Sequence, residues 1–448
     1  MNDTQRMYYI DETGKIIDQS KMLKISTADE LKAFKDDVNS GNTYEDWYVY
    51  LANDITLDIN ELWVPIGLYI NENSSPDNES NIPFSGIFDG KNHNVDGIYI
   101  NTTNKVQGLF GLIDSGKVIN LNIGENCNIT GGSATAAIVG YAYNNSVISN
   151  CSNNANINST YGSGIVGCAY VNTIITNSHN AGRINGTSEH TGGVAGYVAQ
   201  DSIIKECYNV GEVTGIKHVG GVVGNVKLNS NAVNCYNTGI VNGENMVGGI
   251  TGYLGEKSAI NNCYTTGDVE AQYYVGGICG YTSVNTLISQ CYNEGDIKAI
   301  GQNESGNSNV GGLVGLTESN IMNCYNTGAV TGLYECVGGL IGLNRGTLEN
   351  SYNVGNVNGE IEKKGSLVGN NDEFYYTEDD RTYIGKIYNS YSLENVTTDL
   401  CGVNNSILGN ECSFKTSLEL QSLYVTLGNS FKEDKNNINN GYPILQWQ

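Results

Sequence analysis

Six tyrosines recur at one position of a repeated phrase, and they are the residues best suited to recognising another molecule. Each follows a Cys or Ser, as in Cys235-Tyr236-Asn237-Thr238-Gly239. The six are Tyr208, Tyr236, Tyr264, Tyr292, Tyr325 and Tyr352. A row of aromatic rings can stack on flat sugar faces or form a protein contact rich in binding energy. We therefore predict a ligand-binding row, with a purely structural stack as the alternative.

A short acidic segment is the second candidate site. Its carboxylates are Asp372, Glu373, Glu378, Asp379 and Asp380. Carboxylate oxygens suit calcium, but the segment has neither EF-hand spacing nor a nonapeptide calcium repeat. The segment predicts either a calcium site or a solvated acidic loop, and no other cofactor is expected.

The residues expected of an enzyme are not arranged for catalysis. The histidines are His93, His179, His190 and His218. None lies in the His-Glu-x-x-His pattern of a zinc peptidase, and His179 occupies a tyrosine position of the repeat. Carboxylates such as Glu212 and Asp268 fall at scattered turn positions, without a pair on one strand. We predict a non-enzymatic protein, with a polysaccharide lyase or glycoside hydrolase as the alternative.

The tyrosine phrase alternates with a glycine-rich phrase, as in Val219-Gly220-Gly221-Val222-Val223-Gly224. The last glycine of that phrase returns about every 28 residues, which indicates a solenoid. Its copies are Gly111, Gly140, Gly167, Gly196, Gly224, Gly252, Gly280, Gly315, Gly342 and Gly369. Three short strands for each repeat predict an all-β fold, a right-handed parallel β-helix.

Three residue types recur in register with the glycines and predict the core. Cysteines or serines form one stack, comprising Cys151, Ser178, Cys207, Cys235, Cys263, Cys291, Cys324 and Ser351. Apolar residues lie three positions before it (Ile148 to Leu348) and six positions after it (Ile157 to Val357). Because a spacing of three would place two stacks on opposite faces of a straight strand, we expect a bend between them. We expect the thiols inside and reduced and the tyrosines outside. The asparagines that follow the tyrosines are expected in turns with left-handed backbone, bonded along the axis.

The two ends of the chain depart from the repeat and predict caps. Thr27 and Glu30 form a capping-box pattern before a helix that runs to about Val38 and covers the first coil. A short helix is expected from Ser417 to Leu427. This divides the chain into an N-terminal cap with irregular first coils (1–105), regular repeats (106–370), and a segment with the acidic insertion, last coil and C-terminal cap (371–448). Cys401 and Cys412, outside the regular array, are the pair most open to bridging.

Composition narrows the classes of partner. The 23 Lys and Arg against 47 Asp and Glu give a formal net charge of −24, which repels phosphate backbones and anionic lipid. We therefore expect no nucleic acid partner and no direct membrane insertion. The sequence shows no signal-peptide pattern at its start, so we expect a piece of a longer secreted precursor, with an intracellular protein as the alternative. Covered sheet edges at both ends favour a monomer.

The pairing of Gly311-Gly312-Leu313-Val314-Gly315 with Asn323-Cys324-Tyr325-Asn326 resembles the GLUG motif of bacterial secreted and cell-surface proteins, including regions of some immunoglobulin A peptidases. The likeness extends over nearly the whole chain. It implies an extracellular or cell-surface module. We expect an adhesin that binds a host extracellular protein or glycan along a lateral face, with a structural stalk of a larger surface protein or peptidase as a further alternative.

Overall fold

Each coil of the chain contributes short strands that pair in parallel with the strands of the coils before and after it. A computed structural model describes residues 9–10, 16–17, 19–70, 78–301, 308–333, 336–359, 363–376, 380–405 and 412–448. The described strands form four long parallel sheets around one continuous core of Ile, Val, Leu, Ala and Cys. The predicted all-β parallel β-helix, with about 28 residues in each coil, is confirmed.

One coil has five strands instead of the three predicted. Its strands are Val213–Thr214, Lys217–Gly220, Val223–Lys227, Asn231–Val233 and Tyr236–Asn237. The extra breaks fall at the Gly-Gly pair and at single residues with left-handed backbone. One of these, Asn234 (φ 54°), lies between the buried Ala232 and Cys235. The predicted bend is therefore present, and it turns both stacks inward.

The isoleucine sheet carries the first apolar stack and has 13 strands. Its middle residues, such as Ile148, Ile175 and Ile204, face inward and are fully buried. Its strands are Met22–Ile25, Tyr48–Leu51, Ile87–Asp89, Lys117–Ile119, Val147–Ser149, Ile174–Thr176, Ile203–Lys205, Asn231–Val233, Ala259–Asn261, Leu287–Ser289, Asn320–Met322, Thr347–Glu349 and Lys386–Tyr388.

The tyrosine sheet follows in each coil and also has 13 strands. Most are only two residues long, so one residue points out and the next points in. Its strands are Ile55–Thr56, Asn94–Asp96, Asn122–Ile123, Ser152–Asn153, His179–Asn180, Tyr208–Asn209, Tyr236–Asn237, Tyr264–Thr265, Tyr292–Asn293, Tyr325–Asn326, Tyr352–Asn353, Tyr391–Leu393 and Ser413–Lys415.

The forked sheet has 17 strands in two branches, which join where two strands are eight residues long. It carries the second apolar stack, including Val213, Val241 and Val269. Its strands are Tyr99–Asn101, Asn128–Gly131, Thr135–Ala136, Asn156–Ser159, Gly162–Ser163, Ile184–Gly186, Glu189–Gly192, Val213–Thr214, Lys217–Gly220, Val241–Gly248, Val269–Gly276, Ile297–Ala299, Val310–Gly311, Val330–Gly332, Val337–Gly338, Val357–Asn358 and Lys364–Gly365.

The glycine sheet has 11 strands and contains the last glycine of each glycine-rich phrase. A Cβ at Gly224 would lie 2.6 Å from the Gly196 carbonyl oxygen, so this position needs glycine for close backbone contact. The strands are Phe110–Asp114, Val139–Tyr143, Val166–Ala169, Ala195–Ala199, Val223–Lys227, Thr251–Leu254, Cys279–Thr282, Val314–Thr317, Ile341–Asn344, Val368–Asn371 and Cys401–Asn404.

Helices and hairpins occur at the ends of the coil array. The helix Ala28–Asn39 is capped by Thr27, whose side chain accepts from the Glu30 amide, and its Leu31, Phe34 and Val38 are buried in the core, as predicted. The C-terminal helix is shorter than predicted, at Ser417–Gln421. Neither α-helix among the described residues is long and apolar enough to cross a bilayer.

Short 3-10 helices span Gln19–Lys21 and Leu423–Val425. Three antiparallel strand pairs also lie outside the four long sheets: Tyr9–Ile10 with Ile16–Ile17, Glu373–Tyr376 with Arg381–Ile384, and Phe431–Lys432 with Ile444–Leu445.

The cysteine stack lies inside the coil, and all 12 cysteines are free thiols, including Cys401 and Cys412. The Cys207 thiol donates to the Lys205 carbonyl at 3.2 Å. Burial raises its pKa to about 12, which keeps the thiol protonated and poorly nucleophilic. The stack therefore acts as apolar packing.

Asparagines form a second buried stack behind the tyrosines. The Asn209 Nδ2 donates to Asn237 Oδ1 of the next coil at 2.8 Å and to the Gly211 carbonyl of the same coil at 2.7 Å. The same axial bond recurs along the stack, so the predicted axial bonding is confirmed. The members are Asn153, Asn180, Asn209, Asn237, Asn293, Asn326 and Asn353, and Thr265 replaces Asn in one coil. These residues are not left-handed, contrary to the prediction, because the left-handed residue is the one before each Cys.

Replacing Asn237 with Ala should destabilise the fold. The change removes the acceptor for Asn209 and the donor to the Gly239 carbonyl, and each buried polar group left unpaired costs about 1–3 kcal/mol. Asn237→Thr is the matched control, because Thr265 fills the same position one coil later. Urea denaturation followed by circular dichroism should show a larger loss for Ala than for Thr. Equal midpoints for wild type and Asn237→Ala would contradict this account.

Candidate binding face on the tyrosine sheet

The tyrosines form one continuous stack because parallel pairing places each directly opposite the next. Tyr208 pairs with Tyr236, and Tyr236 with Tyr264. Their ring centroids lie 4.7 and 5.0 Å apart, with interplanar angles of 3° and 10°. His179 extends the stack, with its ring 4.6 Å from that of Tyr208.

This geometry decides which part of each ring can contact a ligand. Parallel rings at this spacing cover one another's faces, so the outward surface consists of ring edges and hydroxyl groups. A sugar that stacks on an aromatic face needs an uncovered face. The body of the stack therefore suits edge contacts and hydrogen bonds better than sugar stacking.

The sequence analysis predicted that all six tyrosines would be exposed, but the C-terminal part of the stack is covered. Tyr292 is 8% exposed, and Tyr325 and Tyr352 are fully buried. The C-terminal segment folds back over these rings and covers a lateral face of the β-helix. The covering residues include Leu420, Leu423, Leu427, Phe431 and Leu445.

Specific polar contacts fix the C-terminal segment to the stack. The Trp447 indole donates to the Gln290 carbonyl at 3.1 Å, and its ring centroid lies 5.7 Å from that of Tyr292. The Gln448 side-chain amide donates to the Tyr325 hydroxyl at 2.8 Å. The Tyr352 hydroxyl donates to the Pro443 carbonyl. The segment thus binds the stack through apolar packing and through the tyrosine hydroxyls.

Four rings of the stack are half-buried and form its open half: His179, Tyr208, Tyr236 and Tyr264, of which Tyr264 also contacts Trp447. Burial lowers the pKa of His179, which favours a neutral imidazole. Val210 and Ile240 are 45% and 51% exposed and follow Tyr208 and Tyr236 closely in sequence. The open half therefore combines hydroxyls, ring edges and nearby aliphatic side chains.

The acidic insertion forms the hairpin Glu373–Tyr376 with Arg381–Ile384. The Asp372 carboxylate lies 3.9 Å from an Arg345 nitrogen, and the Tyr375 hydroxyl donates to Asp380. Within the described part of the hairpin, no three carboxylates converge as metal ligands. Glu378 and Asp379 lie outside the described residues, so calcium binding there stays a prediction.

A pocket of about 560 Å³ beside this hairpin was not predicted. It contains the carboxyl of Glu318, which is 8% exposed and lies 3.8 Å from an Arg345 nitrogen. Burial raises the pKa of Glu318, while the Tyr281 hydroxyl and Arg345 act in the opposite direction. Other lining residues are Asn285, Thr286, Thr347, Tyr383 and Lys386.

A pair of histidines was also missed by the sequence analysis. His190 and His218 are 28 positions apart, which is one coil, and their Nδ1 atoms lie 3.1 Å apart. The repeat period was the signal that could have found them, because residues one period apart become neighbours in a β-helix. The sequence analysis looked only for histidines close together along the chain.

Comparison with known proteins identifies the repeat. A model of the GLUG motif matches residues 306–331, which include one copy of the glycine-rich and tyrosine phrases. The chain is thus a parallel β-helix with one segment that matches the GLUG motif. No curated protein matches it. A crystal structure of a candidate immunoglobulin A1 protease from Bacteroides ovatus is similar to this chain at 19% identity, covering 96% of this chain and 94% of the other, with a TM-score of 0.36.

Chemical nitration should separate the covered tyrosines from the open ones. Tyr208 and Tyr236 should react, because their edges face solvent, whereas Tyr325 and Tyr352 should be protected by the C-terminal segment. Burial also raises the pKa of both protected hydroxyls, which lowers the amount of reactive phenolate. Peptide mass spectrometry would measure the sites, with urea-unfolded protein as the control. Equal nitration of all four in the folded protein would contradict the described covering.

Proposed function

We propose that this chain is a non-enzymatic interaction module of a secreted or cell-surface protein, an adhesin that binds a host extracellular protein along the open half of the tyrosine stack. The GLUG repeat supports the setting, since this motif is typical of bacterial surface and secreted proteins. The proposed contact residues are Tyr208, Tyr236 and Tyr264, with His179 at the outer end.

One observation carries the proposal. Half of a continuous tyrosine stack is bound by a segment of the same chain. The other half has the same ring spacing, and among the described residues the segment reaches only its last ring, Tyr264. Trp447 and Leu445 show the kind of side chain that packs there. Tyrosine is enriched in binding hot spots because it offers a large apolar area and one hydroxyl.

A protein partner is favoured over a stacked glycan. The rings cover each other's faces at 4.7–5.0 Å, so only the end of the stack offers a face to a sugar. Ring edges with aligned hydroxyls suit contact with backbone carbonyls and aliphatic side chains. In the covered half, the Pro443 carbonyl and the Leu445 side chain make such contacts. Because the chain's net charge is −24, a neutral or basic partner surface is expected.

A binding screen tests the proposal. Purified protein would be measured by surface plasmon resonance against extracellular-matrix proteins, and against a glycan array in parallel. Tyr208→Ala with Tyr236→Ala should abolish a saturable signal, because hot-spot tyrosines each contribute about 2 kcal/mol or more. Tyr170→Ala, in the stack beside the glycine sheet, is the matched control and should bind normally.

The outcomes separate the candidate roles. Loss of binding with an unchanged melting temperature supports the adhesin. Loss of stability in the double variant, without any ligand for the wild type, supports the structural stalk. Binding confined to glycans would overturn the preference for a protein partner.

A second candidate function is polysaccharide cleavage in the pocket beside the hairpin. The observation that favours it is the buried Glu318 carboxyl, whose raised pKa suits proton donation and which lies beside Arg345. Asp372, on the far side of Arg345, would be the second carboxylate. Glycoside hydrolysis needs two carboxyl groups, and here only Glu318 lines the pocket, with Asp372 reached through Arg345.

Product analysis on a polysaccharide panel tests this second candidate. Turnover should fall at least about 100-fold in Glu318→Gln, since general acid catalysis contributes about 10²–10⁴-fold. Glu294→Gln is the matched control. Burial also raises the pKa of the Glu294 carboxyl, but this residue lies near Tyr264 of the tyrosine sheet and outside the pocket. Absence of products from the wild type, or equal turnover in both variants, would reject the enzyme.

A further inference from the structure

Three side chains converge at the start of two neighbouring strands of the forked sheet, Glu189–Gly192 and Lys217–Gly220. They are Glu189, His190 and His218, and one ligand atom from each lies within 4.8 Å of the others. The two Nδ1 atoms face each other at 3.1 Å, and the Glu189 Oε2 lies 3.7 Å from His190 Nε2. This is the one such group in the part of the chain that the structure describes.

The backbone presents both histidines in the same unusual way. His190 and His218 have φ values of 58° and 52°, in the left-handed region. Among the equivalent residues of other coils, Ala134 and Met246 also lie there at 55° and 54°, whereas Tyr161 does not. The position is therefore a recurrent bend of the coil, and the pairing of histidines at two successive bends comes from the sequence.

A buried amide beside the pair gives a second, independent observation. Asn225 is 3% exposed, and its Nδ2 lies 3.4 Å from His190 Nδ1. Its Oδ1 is buried and has no hydrogen-bond partner among the described residues. A buried amide oxygen without a partner is costly, and exchanging the two amide atoms would direct that oxygen toward the histidines.

We propose that Glu189, His190 and His218 bind one divalent transition-metal ion such as Zn²⁺, with the Asn225 amide oxygen as a further ligand. Two nitrogen ligands of a tetrahedral zinc lie about 3.3 Å apart when each bond is about 2.0–2.1 Å, close to the 3.1 Å between the imidazoles. The two rings are stacked 4.9 Å apart and 12° from parallel, so metal binding requires each ring to rotate until both Nδ1 lone pairs point at one ion. The two-histidine, one-carboxylate set is typical of such metals.

The surroundings select against hard cations. The Lys217 ammonium donates to Glu189 Oε1 at 2.7 Å, and the Lys227 ammonium lies over the neighbouring Tyr197 ring. Calcium and magnesium need several oxygen ligands with negative charge, which this site lacks. Neutral imidazoles bind zinc, cobalt, nickel or copper without that charge, and burial lowers the pKa of both histidines so that protons do not compete.

The test uses the whole chain after dialysis against a chelator. Isothermal titration with Zn²⁺ should show one site for each molecule, and thermal melting should shift upward with added Zn²⁺, because a ligand of the folded state stabilises it. Cobalt(II) should give the visible absorption of a low-symmetry, four-coordinate site.

The variants come from residues that the fold already accepts at this bend. His190→Ala and His218→Met copy Ala134 and Met246, so both should fold. Each should weaken Zn²⁺ binding by more than about tenfold. Losing a residue that only hydrogen-bonds to a metal ligand already costs about tenfold in metal affinity, and here a ligand itself is lost. His179→Ala is the matched control, since His179 lies in the tyrosine stack.

The result expected is a single zinc site that both variants lose and the His179 variant keeps. Circular dichroism of each variant separates a lost ligand from a lost fold, and two independent variants keep the test open if one fails to fold. No saturable zinc binding by the folded wild type would overturn the proposal. Zinc binding that is equal in wild type and in both bend variants would also overturn it.

Discussion

The parallel register of the coils is the constraint on which the rest of the structure depends. It places each side chain directly against the equivalent side chain one coil away. A buried position must therefore be compatible with itself, since its nearest neighbour has the same role. Asparagine meets this condition, because its amide donates to the next amide and accepts from the previous one. This explains why a polar residue can run through the interior of the coil.

The same register governs charge. A charged side chain would face a like charge in the next coil unless the sign alternates, and like charges directly opposite are destabilising. Several ion pairs accordingly join residues one coil apart. They are Arg183 with Glu212, Lys217 with Glu189, Lys298 with Glu270, and Arg345 with Glu318. Exposed pairs of this kind add little stability, so their value lies in avoiding repulsion.

The sequence was informative wherever a residue type repeats, and much less so elsewhere. The buried Cys and Ile stacks, the capped N-terminal helix and the bend before each Cys followed from spacing alone. The extra strand breaks did not, because a strand of two residues leaves too little pattern to separate it from a turn. The Glu318 and His190 groups also escaped, since each combines single residues from different coils.

The covering of the tyrosine stack by the C-terminal segment could not be predicted, because that segment does not repeat and its contacts lie up to 157 positions away along the chain. The spacing of the rings does not change where the C-terminal segment stops covering them. Tyr236 and Tyr264 are 5.0 Å apart, and Tyr264 and Tyr292 are 4.9 Å apart, so the rings are spaced alike on both sides of the boundary. What changes there is the position of Trp447, whose ring contacts Tyr264 and Tyr292. Because the two halves have the same ring geometry, the contacts made by the C-terminal segment indicate the chemistry that the proposed partner of the open half would need.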